Sequence, residues 1–257
     1  MTLILALTCP QGIVLASDSA STAETFIQET HLVTKKIFQL DDRILAAGSG
    51  TDCVTSAVRS RLEELAKANQ LRGNSLKEIQ ARVAKGAHEA AKAARDLWLP
   101  PLGDEKRDPP VSEFVVCGYH VENPWVLEIH RNGTVAPREK EGFTAIGSGD
   151  TFAYFSVANW RRWGIKMDKL DHAALVAFSL LDDAIHAAPR WLRGPVQIWM
   201  MTKPISTSAA PKIEELSKAK IDALETTYAT WRTAQIDSLP GLFDAQPAPA
   251  ISVPQQT

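Results

Sequence analysis

Cysteine is scarce in this chain and unpaired in pattern. Three occur in 257 residues, Cys9, Cys53 and Cys117, and no two share a C-x-x-C spacing, which argues against a zinc site and against a disulfide framework and fits a reducing cytoplasm. An excess of one charge is missing as well. The 28 basic and 30 acidic residues leave a net charge of −2, so there is no electrostatic footprint for nucleic acid or for an anionic membrane. No apolar run reaches the ~20 residues of a membrane span, and no repeat of solenoid period is visible. The first apolar stretch, Leu3 to Leu7 ahead of Thr8-Cys9, loosely suggests an exported lipoprotein leader. It lacks a basic n-region and is short for a signal core, so export is not expected.

What is present is enough apolar residue to bury a large core, 45% of the chain, as one domain plus a tail. Leu3 to Thr8 and Ile13 to Ser17, joined by a Pro10-Gln11-Gly12 turn, read as two strands buried on both faces because apolar residues run without alternation. A mostly polar loop is expected from Ala23 to His31, then strands over Thr34 to Leu40 and Ile44 to Ala47. Two helices follow: one capped by Thr51 or Asp52 and reaching about Gln70, with Val54, Val58, Leu62 and Leu65 on one stripe, and one from Ser75 to about Trp98. Leu99 to Pro110 reads as loop. Short strands are expected around Ser112–His120, Trp125–His130 and Gly142–Ile146, with Arg131-Asn132-Gly133 as a hairpin signal. Helices from Gly147-Ser148-Gly149 to about Arg162 and from Asp168 or Lys169 to about His186 precede a last strand, Val196 to Thr202. This order suits two sheets between helix layers. The expected division is a domain over residues 1–203 and a second segment, 204–257, made of a helix from Ile213 to about Trp231 and a flexible tail with Pro240, Pro247, Pro249 and Pro254.

The chemistry starts at the second residue. Thr2 is small enough for Met1 to be excised, and an N-terminal threonine holds a nucleophilic hydroxyl and a proton-accepting amine on one framework. That amine has an ordinary pKa of about 7.7–8, so near neutral pH part of it is already an unprotonated base. Amide cleavage by such a residue needs a cation to lower the amine pKa, a carboxylate to hold the cation, and backbone N–H donors for the developing oxyanion. Asp18 and Lys36 supply the pair, with Lys35 a competitor that strand alternation sends to the opposite face. Gly48 offers an unobstructed backbone. The six histidines are scattered and read as structural.

At this point the chain resembles the proteasome β-subunit family of N-terminal nucleophile (Ntn) hydrolases, including the bacterial HslV-type peptidases. The matching pieces are Thr2, Val14-Leu15-Ala16-Ser17-Asp18-Ser19-Ala20-Ser21-Thr22, Lys36-Ile37-Phe38-Gln39-Leu40, Ala47-Gly48-Ser49-Gly50 and Ile146-Gly147-Ser148-Gly149, in the family's order over roughly residues 2–203. The resemblance implies an α+β, four-layer αββα sandwich and a threonine-type endopeptidase of peptides or unfolded proteins. In it Thr2 is nucleophile and general base, Asp18 orients Lys36, the Gly48 N–H forms the oxyanion hole, and Ser148 hydrogen-bonds near the Thr2 amine. Ser21, Ala46 and Gly50 would line the primary substrate pocket. It further implies a homo-oligomer, with an ATPase unfoldase as candidate partner, and no cofactor or metal. Two departures stand out: Pro189-Arg190-Trp191-Leu192-Arg193-Gly194 replaces the family's Asp-x-x-Ser-Gly element, and Ala20 stands where the family often has Arg. The alternatives are an inactive structural subunit of such an assembly and an Ntn amidase of small substrates.

Overall fold

Residues whose apolar side chains run unbroken must face two cores at once, and the first two strands do so. In the computed structural model, which describes residues 2–24, 29–73, 75–97, 110–162 and 164–238, the chain forms β1 (Ile4–Cys9), β2 (Gly12–Ser17), β3 (Ala20–Glu24), β4 (Glu29–Val33), β5 (Ile37–Gln39), β6 (Ile44–Gly50), α1 (Asp52–Lys67), α2 (Leu76–Asp96), β7 (Ser112–His120), β8 (Asn123–Ile129), β9 (Val135–Pro137), β10 (Phe143–Ile146), α3 (Asp150–Arg162), α4 (Leu170–Ala187), β11 (Gln197–Thr202), β12 (Ile213–Glu215) and α5 (Lys218–Ser238). One antiparallel sheet has the order β10-β1-β2-β11-β12 and the other β5-β6-β7-β8-β9.

The two sheets face each other and helices cover both outer sides, which is the expected αββα sandwich. Leu3, Leu5 and Leu7, with Val14 and Ala16, join the core under α3 and α4. Their neighbours Ile4, Ala6, Ile13 and Leu15 meet Ile37, Leu45, Ala47 and Val115 between the sheets. This is the two-residue period of a strand with both faces dry. On the far side Val54, Val58 and Leu62 of α1 and Ile79 and Val83 of α2 pack on Phe114, Val116 and Trp125. The Ser75 hydroxyl accepts from the Glu78 N–H at 3.3 Å and caps α2.

Three expectations change. The stretch from Ala23 to His31 is not simply loop: β3 and β4 pair from Ala20↔Val33 to Glu24↔Glu29, although its polar residues give no apolar alternation to read. The three-residue β9 follows the Arg131-Asn132-Gly133 turn and pairs with β8. The third change concerns the segment after residue 203. Ile213 starts a strand rather than a helix, and β12 extends the first sheet through Trp199↔Glu215 to Met201↔Ile213. The helix begins later, at Lys218, because Ser217 acts as its cap, accepting the Lys220 N–H on its hydroxyl at 3.4 Å and the Ile221 N–H on its carbonyl at 3.0 Å. Leu216 and Tyr228 are buried in the same core as α3 and α4, and Ile221, Leu224 and Trp231 pack against it. The prolines beyond lie outside the described residues, as does most of the expected loop from Leu99. Among the described residues no helix is long and apolar enough to cross a membrane.

Candidate active site

Strand register brings the scattered sequence pieces to one end of the sandwich. Ile4 of β1 sits between Ser17 of β2 and Ile146 of β10. Thr2, two residues earlier, therefore lies between the Asp18 turn and the Gly147-Ser148-Gly149 turn. In the facing sheet, the pairing Ile37↔Ala47 sets Lys36 beside Gly48 at the end of β5 and β6 that faces Thr2.

Asp18 is wholly buried. Its Oδ1 accepts the Leu3 N–H at 2.9 Å and its Oδ2 the Ala20 N–H at 3.0 Å. The Lys36 ammonium donates to Oδ1 at 2.8 Å and to the Thr2 hydroxyl Oγ1 at 3.2 Å. The Thr2 nitrogen, an amide while Met1 is attached, donates to Ser148 Oγ at 3.2 Å, and the Thr2 carbonyl accepts the Gly149 N–H at 3.0 Å. Lys35 points elsewhere, to Glu215 at 3.2 Å with its side chain 72% exposed.

Burial sets the electrostatics. It pushes the Asp18 carboxyl above its ordinary 3.8, opposed by the Lys36 charge and the two N–H donors. It pushes the Lys36 ammonium below its ordinary 10.5, opposed by Asp18. A carboxylate with three donors keeps its charge better than an isolated one, so the two groups hold each other ionised against the low dielectric.

The site opens on a cleft of about 710 Å³ whose lining includes Thr2, Lys36, Gly48, Gly50, Glu113 and Ser148. Two expected residues behave differently from the resemblance. The Gly48 N–H, assigned to the oxyanion hole, is directed at the Lys36 carbonyl at 3.4 Å. That contact is long and must be exchanged for the Gly48 N–H to serve an oxyanion. A side chain at Gly48 would run into the Phe114 ring at 2.5 Å, so glycine is required there on packing grounds alone. Ala46 does not form the cleft wall: it is fully buried among Phe38, Val54 and Val58, because the helix-facing side of β6 dives under α1 at that point. Gly50 does line the cleft, and the Ser21 side chain lies outside the described set.

Other contacts at the site carry no motif in the sequence. Gln197 of β11 accepts the Lys36 N–H on Oε1 at 3.2 Å and donates from Nε2 to the Thr34 carbonyl at 2.6 Å, which fixes the backbone that carries Lys36. Glu113 of β7 accepts the Gly147 N–H at 3.0 Å and the Arg131 guanidinium at 2.9 Å. In the Pro189–Gly194 segment, the Arg193 carbonyl accepts the Ser19 N–H at 3.2 Å. No group of three or more His, Cys, Asp or Glu among the described residues could hold a metal ion.

Comparison with known proteins bears on the family and the fold. Residues 2–186 match the family model described as "Proteasome subunit". The chain is 28% identical over 171 residues to "Proteasome subunit beta 1" of Thermococcus kodakarensis, a match spanning 65% of this chain and 74% of that one. Its fold is similar to two solved structures. One is a Gly-1 mutant of Anbu from Hyphomicrobium sp. strain MC1, with TM-score 0.67, 15% identity, and 93% of this chain and 100% of that chain covered. The other is Anbu, an ancestral β-subunit, from Yersinia bercovieri, with TM-score 0.66, 14% identity, and 97% and 99% covered.

Proposed function

We propose that this chain, which belongs to the proteasome subunit family, hydrolyses peptide bonds as a threonine-type endopeptidase, with Thr2 as N-terminal nucleophile after Met1 is removed. The observation that carries the reading is one bridging ammonium: Lys36 Nζ joins the buried Asp18 carboxylate at 2.8 Å to the Thr2 hydroxyl at 3.2 Å.

The freed Thr2 amine takes the proton from Oγ1, and Oγ1 attacks the peptide carbonyl carbon. The carbonyl π electrons move to oxygen, where a backbone N–H stabilises the oxyanion; Gly48 supplies it once its contact with Lys36 is released. The tetrahedral centre collapses, the C–N bond breaks, and the Thr2 ammonium returns its proton to the leaving amine. Water, deprotonated by the same amine, then attacks the Thr2 ester carbonyl; the C–Oγ1 bond breaks, the ammonium returns its proton to Oγ1, and the product acid leaves with the free amine restored. The Lys36 charge holds the amine pKa down so that it is a free base near neutral pH. Asp18 acts by fixing Lys36, and Ser148 by orienting the nitrogen.

The substrate class is a peptide or an unfolded protein segment entering the cleft. The family description, a subunit, supports an oligomeric assembly; that it is a homo-oligomer, with an ATPase unfoldase as candidate partner and in the cytoplasm, is part of the same proposal. The absence of Asp and Ser from Pro189–Gly194 favours, as second reading, an inactive structural subunit. Intact mass and a peptide epoxyketone, which reacts with both the hydroxyl and the amine of an N-terminal threonine, separate the two. The mature chain is expected to start at Thr2 and to gain one adduct there, absent from Thr2→Ala. Retention of Met1 in every copy would sink the proposal.

A further inference from the structure

We propose that Glu113 is a positioning residue of this site: its carboxylate, held by Arg131, anchors the turn that carries Ser148 and so sets the Thr2 nitrogen. The inference rests on the reading of Thr2 as nucleophile.

The turn between β10 and α3 is closed locally by one bond, from the Asp150 N–H to the Gly147 carbonyl at 3.1 Å. Gly147 has φ +93°, a conformation L side chains rarely adopt, and a Cβ there would collide with the Thr2 carbonyl oxygen. Such a turn needs outside anchors to hold one geometry. The structure gives it two, on opposite sides of Ser148. The Gly149 N–H donates to the Thr2 carbonyl at 3.0 Å, which ties the turn to the first sheet. The Gly147 N–H donates to Glu113 Oε2 at 3.0 Å, which ties it to the second sheet. Ser148 sits between the two clamps, its Oγ 3.2 Å from the Thr2 nitrogen.

Glu113 is itself oriented. Its other oxygen, Oε1, accepts from Arg131 Nε at 2.9 Å, and the glutamate side chain is only 18% exposed while the arginine is 56% exposed. The Glu113 backbone is fixed opposite Ser49 in the β6–β7 ladder, the same β6 that carries Gly48. The residue thus reports the position of one sheet's catalytic strand to the turn on the other sheet. A carboxylate suits the task because a bond from an N–H to a charged acceptor is about twice as strong as a neutral one.

The test is the rate at which a peptide epoxyketone forms its Thr2 adduct, followed by mass spectrometry across the titration of the amine, between about pH 6 and pH 9. Glu113→Ala is expected to slow adduct formation about tenfold, the effect of losing one charge-assisted hydrogen bond. Its acid limb is expected to move to lower pH, since the bond to Ser148 Oγ favours the charged ammonium. Glu113→Gln keeps an acceptor for the Gly147 N–H and is expected to recover most of the rate. In a Ser148→Ala background, Glu113→Ala is expected to add nothing, because both act through one turn. Wild-type rate and pH profile in Glu113→Ala, equal losses in the Ala and Gln variants, or additivity with Ser148→Ala would overturn the assignment while leaving Thr2 as nucleophile. A wild type that keeps Met1 or takes no adduct overturns the Thr2 reading and this proposal with it.

Discussion

Replacing Lys36 by Met removes the cation and keeps most of the side-chain volume, so it isolates the charge. In the native site the Asp18 carboxylate, 0% exposed, accepts three hydrogen bonds, from the Leu3 and Ala20 N–H groups and from Lys36. The variant leaves two. Breaking a buried ion pair from one side costs about 3–5 kcal/mol, because the remaining charge stays out of water unpaired. The two surviving N–H donors, each worth ~1.5–3 kcal/mol to a charged acceptor, put the expected loss at the lower end of that range. The loss depends on pH with a defined sign. Burial already raises the Asp18 carboxyl above 3.8, and Lys36 is the largest influence opposing it, so without Lys36 the carboxyl rises further. A carboxyl raised in the folded state is destabilising in full above its folded pKa; the penalty shrinks as pH falls below that value and the native group takes a proton, and is gone only below the ordinary value of about 3.8. Urea unfolding followed by tryptophan fluorescence should therefore show the largest gap between variant and wild type above neutral pH, narrowing in acid. Adding Asp18→Asn to the same chain should abolish the pH dependence of the loss but recover only part of the stability, because the amide NH2 cannot accept one of the two N–H bonds that the carboxylate takes from Leu3 and Ala20, and turnover should stay at least ~10²-fold down because the donor to Thr2 Oγ1 is gone. A Lys36→Met variant within about 1 kcal/mol of wild type at every pH would refute the buried-pair argument.

Two further outcomes are checked with ordinary assays. Because burial lowers the Lys36 ammonium from 10.5, its charge is lost on the way up in pH before that value is reached, so the alkaline limb of peptidase activity should fall below pH 10.5; a limb at or above it contradicts the assigned role. Tyr228→Phe removes the bond from the Tyr228 hydroxyl to Asp183 at 2.7 Å while leaving the stacking on Trp231 at 5.8 Å. The expected cost is ~1.5–3 kcal/mol in urea unfolding, and no change would mean α5 is not latched through that contact.

What the sequence made legible was the part written in local pattern. Continuous apolar runs marked β1 and β2 as double-faced strands, Ser75 marked the start of α2, and Asp18 and Lys36 stood out because a nucleophile at Thr2 needs both. Register then did what no local pattern expresses: Ile4 between Ser17 and Ile146 is the reason residues far apart in the chain meet, as Thr2 and Ser148 do with a separation of 146. Residues recruited through backbone contacts were invisible. Gln197 and Glu113 act on N–H groups of Lys36 and Gly147, and a backbone donor leaves no signature in side-chain spacing. Ala46 was misplaced for the reverse reason: its face of β6 was foreseeable, but whether α1 covers that face depends on packing. The β3–β4 hairpin and the strand at Ile213 are short and mixed in polarity, so neither the two-residue nor the 3.6-residue period had room to show.

The burial of Asp18 and Lys36 argues on its own for chemistry over stability. A pair of well-packed apolar residues in the same space would be neutral or more stabilising than an ion pair taken out of water, and this pair is out of water, the Asp18 side chain 0% and the Lys36 side chain 8% exposed. The fold nonetheless commits two backbone N–H groups to the carboxylate and a glutamine from a third strand to the lysine's backbone. Those contacts fix where one ammonium sits to within a hydrogen bond of a single hydroxyl. On the reading proposed above, that placement serves the Thr2 hydroxyl, 3.2 Å from the ammonium, where a charge would develop during attack.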